Sequence, residues 1–251
     1  MNTIKSMVLV ALGLMAVAVR AQTPDEVVNG YLNQTGGKDK LSTIKSLRME
    51  GKIKMQSVEI PVTILQEKGG KLKMVTVVNG VEFVQTAYDG KAAWSTNAVT
   101  KLPEIMSEED TYNIQQEADA DFPNPFLDYK SKGYTLEAQG REKVGNLDCI
   151  KLKLTKKALK RNKKVEENSM VYYFDAQNFN LLMSRGLINN GPVRGIPQEI
   201  MYNNFQKVDG IMFPFEMRYR ISGQEGQTII IEKIAINPTL DNKVFVFPEG
   251  K

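Results

Sequence analysis

The 251-residue chain holds no histidine and a single cysteine, so most nucleophilic and proton-shuttling chemistry has no residue to carry it. Without imidazole there is no Ser-His-Asp or Cys-His nucleophile system, no imidazole base and almost no route to a zinc site. Cys149 sits in the alternating stretch Leu147-Asp148-Cys149-Ile150-Lys151-Leu152, where it reads as a small buried hydrophobe. No base stands near it in sequence to hold a thiolate. Carboxylates remain. Glu108-Glu109, and Asp119 with Asp121, are the residue types of a glycosidase pair or a divalent-cation site. They crowd into one acidic helical stretch, without the opposed placement of glycosidase carboxylates or the spaced ligands and glycine of an EF-hand loop. Solvated surface is the plainer reading. No glycine-rich phosphate loop is present. These absences predict a protein that is not an enzyme, with no cofactor and no catalytic or metal-ligating residue.

What the sequence offers instead is apolar surface. Met49, Met55, Met74, Met170, Met183, Met201, Met212 and Met217 all fall in strand-like segments. Unbranched methionine re-packs around irregular or variable partners, and it also fills ordinary cores. The connection Lys156 to Asn168 carries Lys156, Lys157, Lys160, Arg161, Lys163 and Lys164. Such a loop could touch anionic headgroups, but Glu166 and Glu167 follow, and a solvated hairpin tip is the favoured reading. Nucleic acid is not implied, because the total charge is nearly balanced.

The elements that must position these residues begin after an export signal. Lys5, the apolar run Met7 to Val19 and Val19-Arg20-Ala21 follow the order of a secretory signal peptide. The run falls short of the ~20 residues that cross a bilayer. Cleavage after Ala21 is expected, and no cysteine near the cut would take a lipid. Residues 1–21 thus read as signal and 22–251 as a single domain, periplasmic, monomeric and without a transmembrane segment. The mature chain keeps 31 basic residues against 29 acidic ones. Thr23-Pro24-Asp25-Glu26 is a capping box opening a helix that buries Val27, Val28, Tyr31 and Leu32 and stops at Gly36-Gly37. A second short helix is expected over Lys38 to Lys45, burying Leu41 and Ile44.

From Ser46 the period becomes two. Leu47, Met49, Ile53 and Met55 alternate with Arg48, Glu50, Lys52 and Lys54, as in an antiparallel sheet covered on one face. Asn79-Gly80 and Asp89-Gly90 predict tight type I′ hairpins. Ser107 caps an acidic helix running to Asp121. Phe122-Pro123-Asn124-Pro125-Phe126-Leu127 is an irregular apolar loop, since each proline removes a donor and restricts its predecessor. Phe245, Phe247 and Pro248 are expected to dock back on the core. The expected class is α+β: a strongly curved antiparallel sheet of about eleven strands, an incomplete β-barrel, with helices covering the concave face. A flat two-sheet sandwich is the competitor.

Several segments carry a resemblance. Gly36-Gly37-Lys38-Asp39-Lys40-Leu41 with Ile44-Lys45-Ser46-Leu47 and Gly51 resembles the opening of the outer-membrane lipoprotein-sorting proteins. Tyr88-Asp89-Gly90-Lys91 with Trp94, Val208-Asp209-Gly210 with Phe213-Pro214, and Ile236-Asn237-Pro238 with Asp241 and Phe245 resemble the same family. These are turn glycines and strand aromatics, not ligands. The family is similar in fold to the periplasmic lipoprotein carriers LolA and LolB, which implies a curved half-barrel holding acyl chains between sheet and helical lid. The partners so implied are a lipid or acylated lipoprotein and an outer-membrane acceptor. The alternative on the same fold is an envelope protein-binding or stress-sensing module without lipid transport. The inward positions of the early strands are the expected cavity lining: Met49, Ile53, Ile60, Val62, Ile64, Leu72, Met74, Phe83 and Trp94. A one-residue slip in any turn would swap the two faces.

Overall fold

In the computed structural model, residues 22–189 and 193–248 are described; the expected signal segment, residues 1–21, lies outside them. Two helices open the fold, α1 (Pro24–Thr35) and α2 (Lys38–Ser42). Six strands follow: β1 (Ser46–Met55), β2 (Val58–Glu67), β3 (Lys71–Val78), β4 (Val81–Tyr88), β5 (Ala93–Thr96) and β6 (Pro103–Ile105). Helix α3 (Glu108–Asp121) and the proline loop then lead to seven more: β7 (Thr135–Val144), β8 (Leu147–Arg161), β9 (Lys164–Asp175), β10 (Leu181–Leu187), β11 (Pro197–Val208), β12 (Ile211–Ile221) and β13 (Gln224–Ile236). All thirteen form one antiparallel sheet, ordered β6-β5-β4-β3-β2-β1-β13-β12-β11-β10-β9-β8-β7. The edges β6 and β7 do not pair, so the barrel stays open.

Curvature follows from what α3 touches. It packs on β3, β4 and β5 near one edge and on β8 near the other. Elements that far apart in strand order meet one helix only if the sheet bends around it. The α+β class with helix on the concave face is therefore what forms, and among the described residues no second sheet stacks on the first. The strand number rises from about eleven to thirteen.

Local sequence explains the elements. Thr23 Oγ1 accepts from Glu26 N at 3.2 Å while Thr23 N donates to Glu26 Oε2 at 2.8 Å, completing the capping box. Val27, Val28 and Leu32 bury their side chains against the sheet, together with Ile53, Val62, Ile229 and Ile231. Asn79 and Gly80 both take positive φ, 52° and 79°, as a type I′ turn requires. Asp89-Gly90 turns differently. Only Gly90 is left-handed, and Asp89 Oδ1 instead accepts from Lys91 N and Ala92 N at 2.8 and 2.9 Å, stretching the link to four residues.

Two further expectations need correction. Helix α2 stops at Ser42 rather than Lys45, although Leu41 and Ile44 are buried as expected. The basic stretch Lys156 to Asn168 is not a long loop. Strand β8 runs to Arg161, the turn is Asn162-Lys163 (φ 49° and 65°), and β9 starts at Lys164. Leu159 and Lys156 are buried there. Charge on alternate residues hid a strand whose inner side lies under α3. Asn113 of α3 brackets the Lys160 backbone, donating Nδ2 to its carbonyl and accepting its N–H, both at 2.8 Å.

Candidate functional site

A hollow lies on the concave side of the later half of the sheet. Its volume is about 820 Å³ and it is partly open to solvent, within the ~300–1,000 Å³ of small-molecule sites. Strands β9 to β12 supply the floor: Met170, Tyr172, Leu181, Ile200, Tyr202, Phe213, Met217 and Tyr219. Tyr31, Thr35, Leu41 and the Pro123–Pro125 turn form the roof.

Register puts these floor residues on one face. Cross-strand partners share a face in an antiparallel ladder. Tyr172 pairs with Ser184, Ser184 with Ile200, Ile200 with Tyr219, and Tyr202 with Met217. The roof is fixed by aromatic packing: Phe126 sits edge-on to Tyr31, Tyr172 and Phe174, with centroids 5.6, 4.7 and 5.4 Å away. Asn124 of the proline loop donates to the Tyr31 hydroxyl at 2.8 Å and accepts from Phe126 N at 3.0 Å, tying loop to helix. Tandem prolines leave that loop without regular partners, so its apolar residues, Phe122, Phe126 and Leu127, are free to turn into the core.

The walls are apolar but carry hydroxyls. Tyr202 and Ser184 hydrogen-bond at 2.9 Å. Neither Tyr172 nor Tyr219 has a hydroxyl partner among the described residues. Burial pushes Tyr219 up to about 12. Burial also raises Tyr172 and Tyr202 well above the ordinary phenol range, and the Asp121 carboxylate adds to the shift at Tyr172. All stay neutral donors at physiological pH.

One end of the hollow is charged. Lys156 places Nζ 2.9 Å from Asp121 Oδ1. Burial pulls the ammonium down, but the charge of Asp121, its hydrogen bond and Glu117 outweigh that and hold Lys156 above its usual value. Asn189 donates to Glu117 Oε1 at 2.5 Å. Asp121, weighed above as a cation ligand, thus neutralises a buried lysine, and Glu109 accepts the backbone N–H groups of Asn162 and Lys163. Cys149 is buried, and desolvation raises its thiol, which leaves it inert.

None of the nine residues expected from the early strands lines this hollow. Eight of them do share the concave face: Met49 pairs with Ile64 and Ile64 with Met74; Ile53 pairs with Ile60; Val62 pairs with Thr76 and Thr76 with Phe83. Leu72 pairs with Tyr88, which packs with Ile114 of α3. Ile53 and Val62 are buried in the main core, and Met49, Ile64 and Met74 pack against it. Trp94 is on the other face. It pairs with Ala87 and Ala87 with Lys73, while Leu72 pairs with Tyr88 and Tyr88 with Ala93, so a single step of register separates the two sets. Trp94 stacks edge-on with Phe247 at 5.9 Å and donates Nε1–H to the Phe245 carbonyl at 2.8 Å. The signal for the actual lining was present as Tyr172, Tyr202, Met217 and Tyr219 on alternating strand positions. Nothing local says which half of the sheet α1 roofs.

No protein-family model matches the sequence, and no curated protein matches it. Solved structures do. A LolA superfamily protein from Nitrosomonas europaea aligns over 90% of this chain and 98% of its own, at 13% identity and a TM-score of 0.55. A DUF1329 family protein from Desulfovibrio piger covers the same shares at 15% and 0.56. A putative outer membrane lipoprotein-sorting protein domain from Vibrio parahaemolyticus aligns over 88% of this chain and 94% of its own, at 11% and 0.54. At such identities the likeness speaks for architecture, and it spans nearly the whole length of both partners. This chain shares with these three structures an architecture, here an open antiparallel half-barrel.

Proposed function

We propose that this protein is a periplasmic carrier that holds the acyl chain of a lipid or lipoprotein in the hollow over β9 to β12 and delivers it to an outer-membrane acceptor. The observation that carries this reading is the lining: an apolar floor with Met170 and Met217 set in it, beneath a roof of helix and proline loop. Methionine adapts to chains of differing length and unsaturation. The tyrosine hydroxyls give a polar headgroup or ester donors along the wall. The fold likeness to a lipoprotein-sorting domain supports the same reading.

The test is organic extraction of the purified, mildly handled protein followed by mass spectrometry. Stoichiometric phospholipid or acylated peptide is expected. A lipid-free protein that captures one envelope protein instead would move the assignment to a protein-binding module.

A further inference from the structure

The exposed aliphatic residues of this molecule are concentrated at one end of it. Because every ladder is antiparallel, the β1–β2, β3–β4, β5–β6, β8–β9, β10–β11 and β12–β13 connections all emerge on the same rim of the sheet. Of the twelve large exposed hydrophobic side chains among the described residues, nine stand on that rim or in its first strand residues: Met55, Val58, Val78, Val81, Val99, Leu102, Val165, Leu187 and Val193. Val99 is 87% exposed and Val165 74%. At the opposite end the turns are polar, Lys68-Gly69-Gly70, Asp89-Gly90, Gly145-Asn146 and Asp209-Gly210, and the other three, Leu147, Ile105 and Val246, lie scattered toward it, outside those turns or beside them. Hairpin tips are ordinarily polar, so this asymmetry calls for a partner.

The same rim is cationic. Lys54, Lys101, Lys160, Lys163 and Lys164 are exposed on it, and none joins an ion pair among the described residues. Of the rim acids, Glu59 is held by Lys52 at 2.7 Å, Glu166 by Arg161 at 3.3 Å and Glu225 by Arg220 at 3.5 Å, which leaves Glu82 and Glu104 outside any ion pair among the described residues.

We propose that this rim docks on the surface of an anionic phospholipid bilayer, with the aliphatic tips entering the headgroup region and the lysines meeting lipid phosphates. The tips belong to separate hairpins and form no continuous groove. A fluid surface can receive each one independently, whereas a rigid protein partner would need a matching pocket for every tip. Apolar area inserted at the interface and lysine attraction to anionic lipid add in such binding. The hollow runs toward this rim through Ile188, Asn189 and Gln198. The proposal does not depend on what the hollow holds.

The test is flotation of the protein from Gln22 onward with vesicles of phosphatidylcholine alone or mixed with phosphatidylglycerol. Binding to the mixed vesicles is expected, weakened by salt and much weaker without phosphatidylglycerol. V99D with L102D is expected to lower the affinity about tenfold or more, and K163E or K164E about fivefold or more each. L147D, at the other end, leaves it unchanged. V99W supplies a second readout, since the native Trp94 is buried: its emission shifts to the blue on adding anionic vesicles. No flotation of the wild type, or equal losses for L147D and the rim variants, overturns the proposal. Lipid extraction from V99D/L102D keeps this separate from the carrier reading, because its hollow is untouched.

Discussion

The Lys156 ammonium lies 2.9 Å from Asp121 Oδ1 with 3% of its side chain exposed, whereas Asp121 is 47% exposed. The two halves of the pair are therefore unequal. D121N strands a buried cation, and the ~3–5 kcal/mol of a fully buried pair, discounted for the half-solvated carboxylate, leaves a loss of about 1–3 kcal/mol. K156M leaves a carboxylate that water can still reach, and should cost less. Urea unfolding of both variants checks this order; a larger loss for K156M would contradict it.

The pair also sets a pH dependence. Lys156 is raised above the 10.5 of free lysine, because Asp121 and Glu117 outweigh its burial. A raised folded value makes the contribution full below the unfolded pKa and lost as pH climbs through the folded one. Wild type should lose stability relative to K156M above about pH 10.5, with the gap between them constant through neutrality. Parallel stability curves up to pH 12 would show the coupling to be absent.

Trp94 anchors the C-terminal segment through its hydrogen bond to Phe245 and its edge contact with Phe247. Phe245 is fully buried. F245A should cost about 3–5 kcal/mol. As Trp94 is the only tryptophan, loosening of the tail reports directly as a red shift of its emission. Unchanged fluorescence and stability would mean the tail contributes nothing.

Gly51 faces the β1–β13 bulge, where an added Cβ would meet the Ile230 carbonyl oxygen at 2.0 Å and Ile231 Cα at 2.9 Å. Backbone atoms cannot swing aside, so G51A should destabilise by about 2–3 kcal/mol or more. G80A meets open space but a left-handed φ, with a cost of about 1 kcal/mol. Chemical denaturation ranks the two, and a milder G51A would argue against the close strand approach.

The fold was legible because alternation and turn chemistry are local. Leu47, Met49 and Ile53 against Arg48, Glu50 and Lys52 specify a one-sided strand without reference to anything distant. Three departures from the sequence reading come from features that alternation alone does not carry. Lys156 reads as loop because a buried lysine makes sense only beside Asp121, which lies 35 residues earlier in the chain. Trp94 faces away from the concave side because β4 is irregular, pairing Met74 with Thr86 but Val75 with Val84. Skipping Gln85 shifts the alternation that would otherwise carry through to β5. Alternation points to the early strands for the lining, whereas α1 and the proline loop roof the later ones, a choice made by Asn124 bonding Tyr31 and by Phe126 packing on Tyr31 and Tyr172.

Photolabelling distinguishes the two halves of the sheet and tests the carrier account most directly. A diazirine-bearing fatty acid, irradiated with the protein and mapped by peptide mass spectrometry, should mark the segments carrying Met170, Tyr202, Met217 and Tyr219, and unlabelled fatty acid should compete the adducts away. Adducts confined to the β1–β4 hairpins around Ile60 and Phe83, or labelling that does not saturate, would contradict the hollow over β9 to β12 as the acyl site.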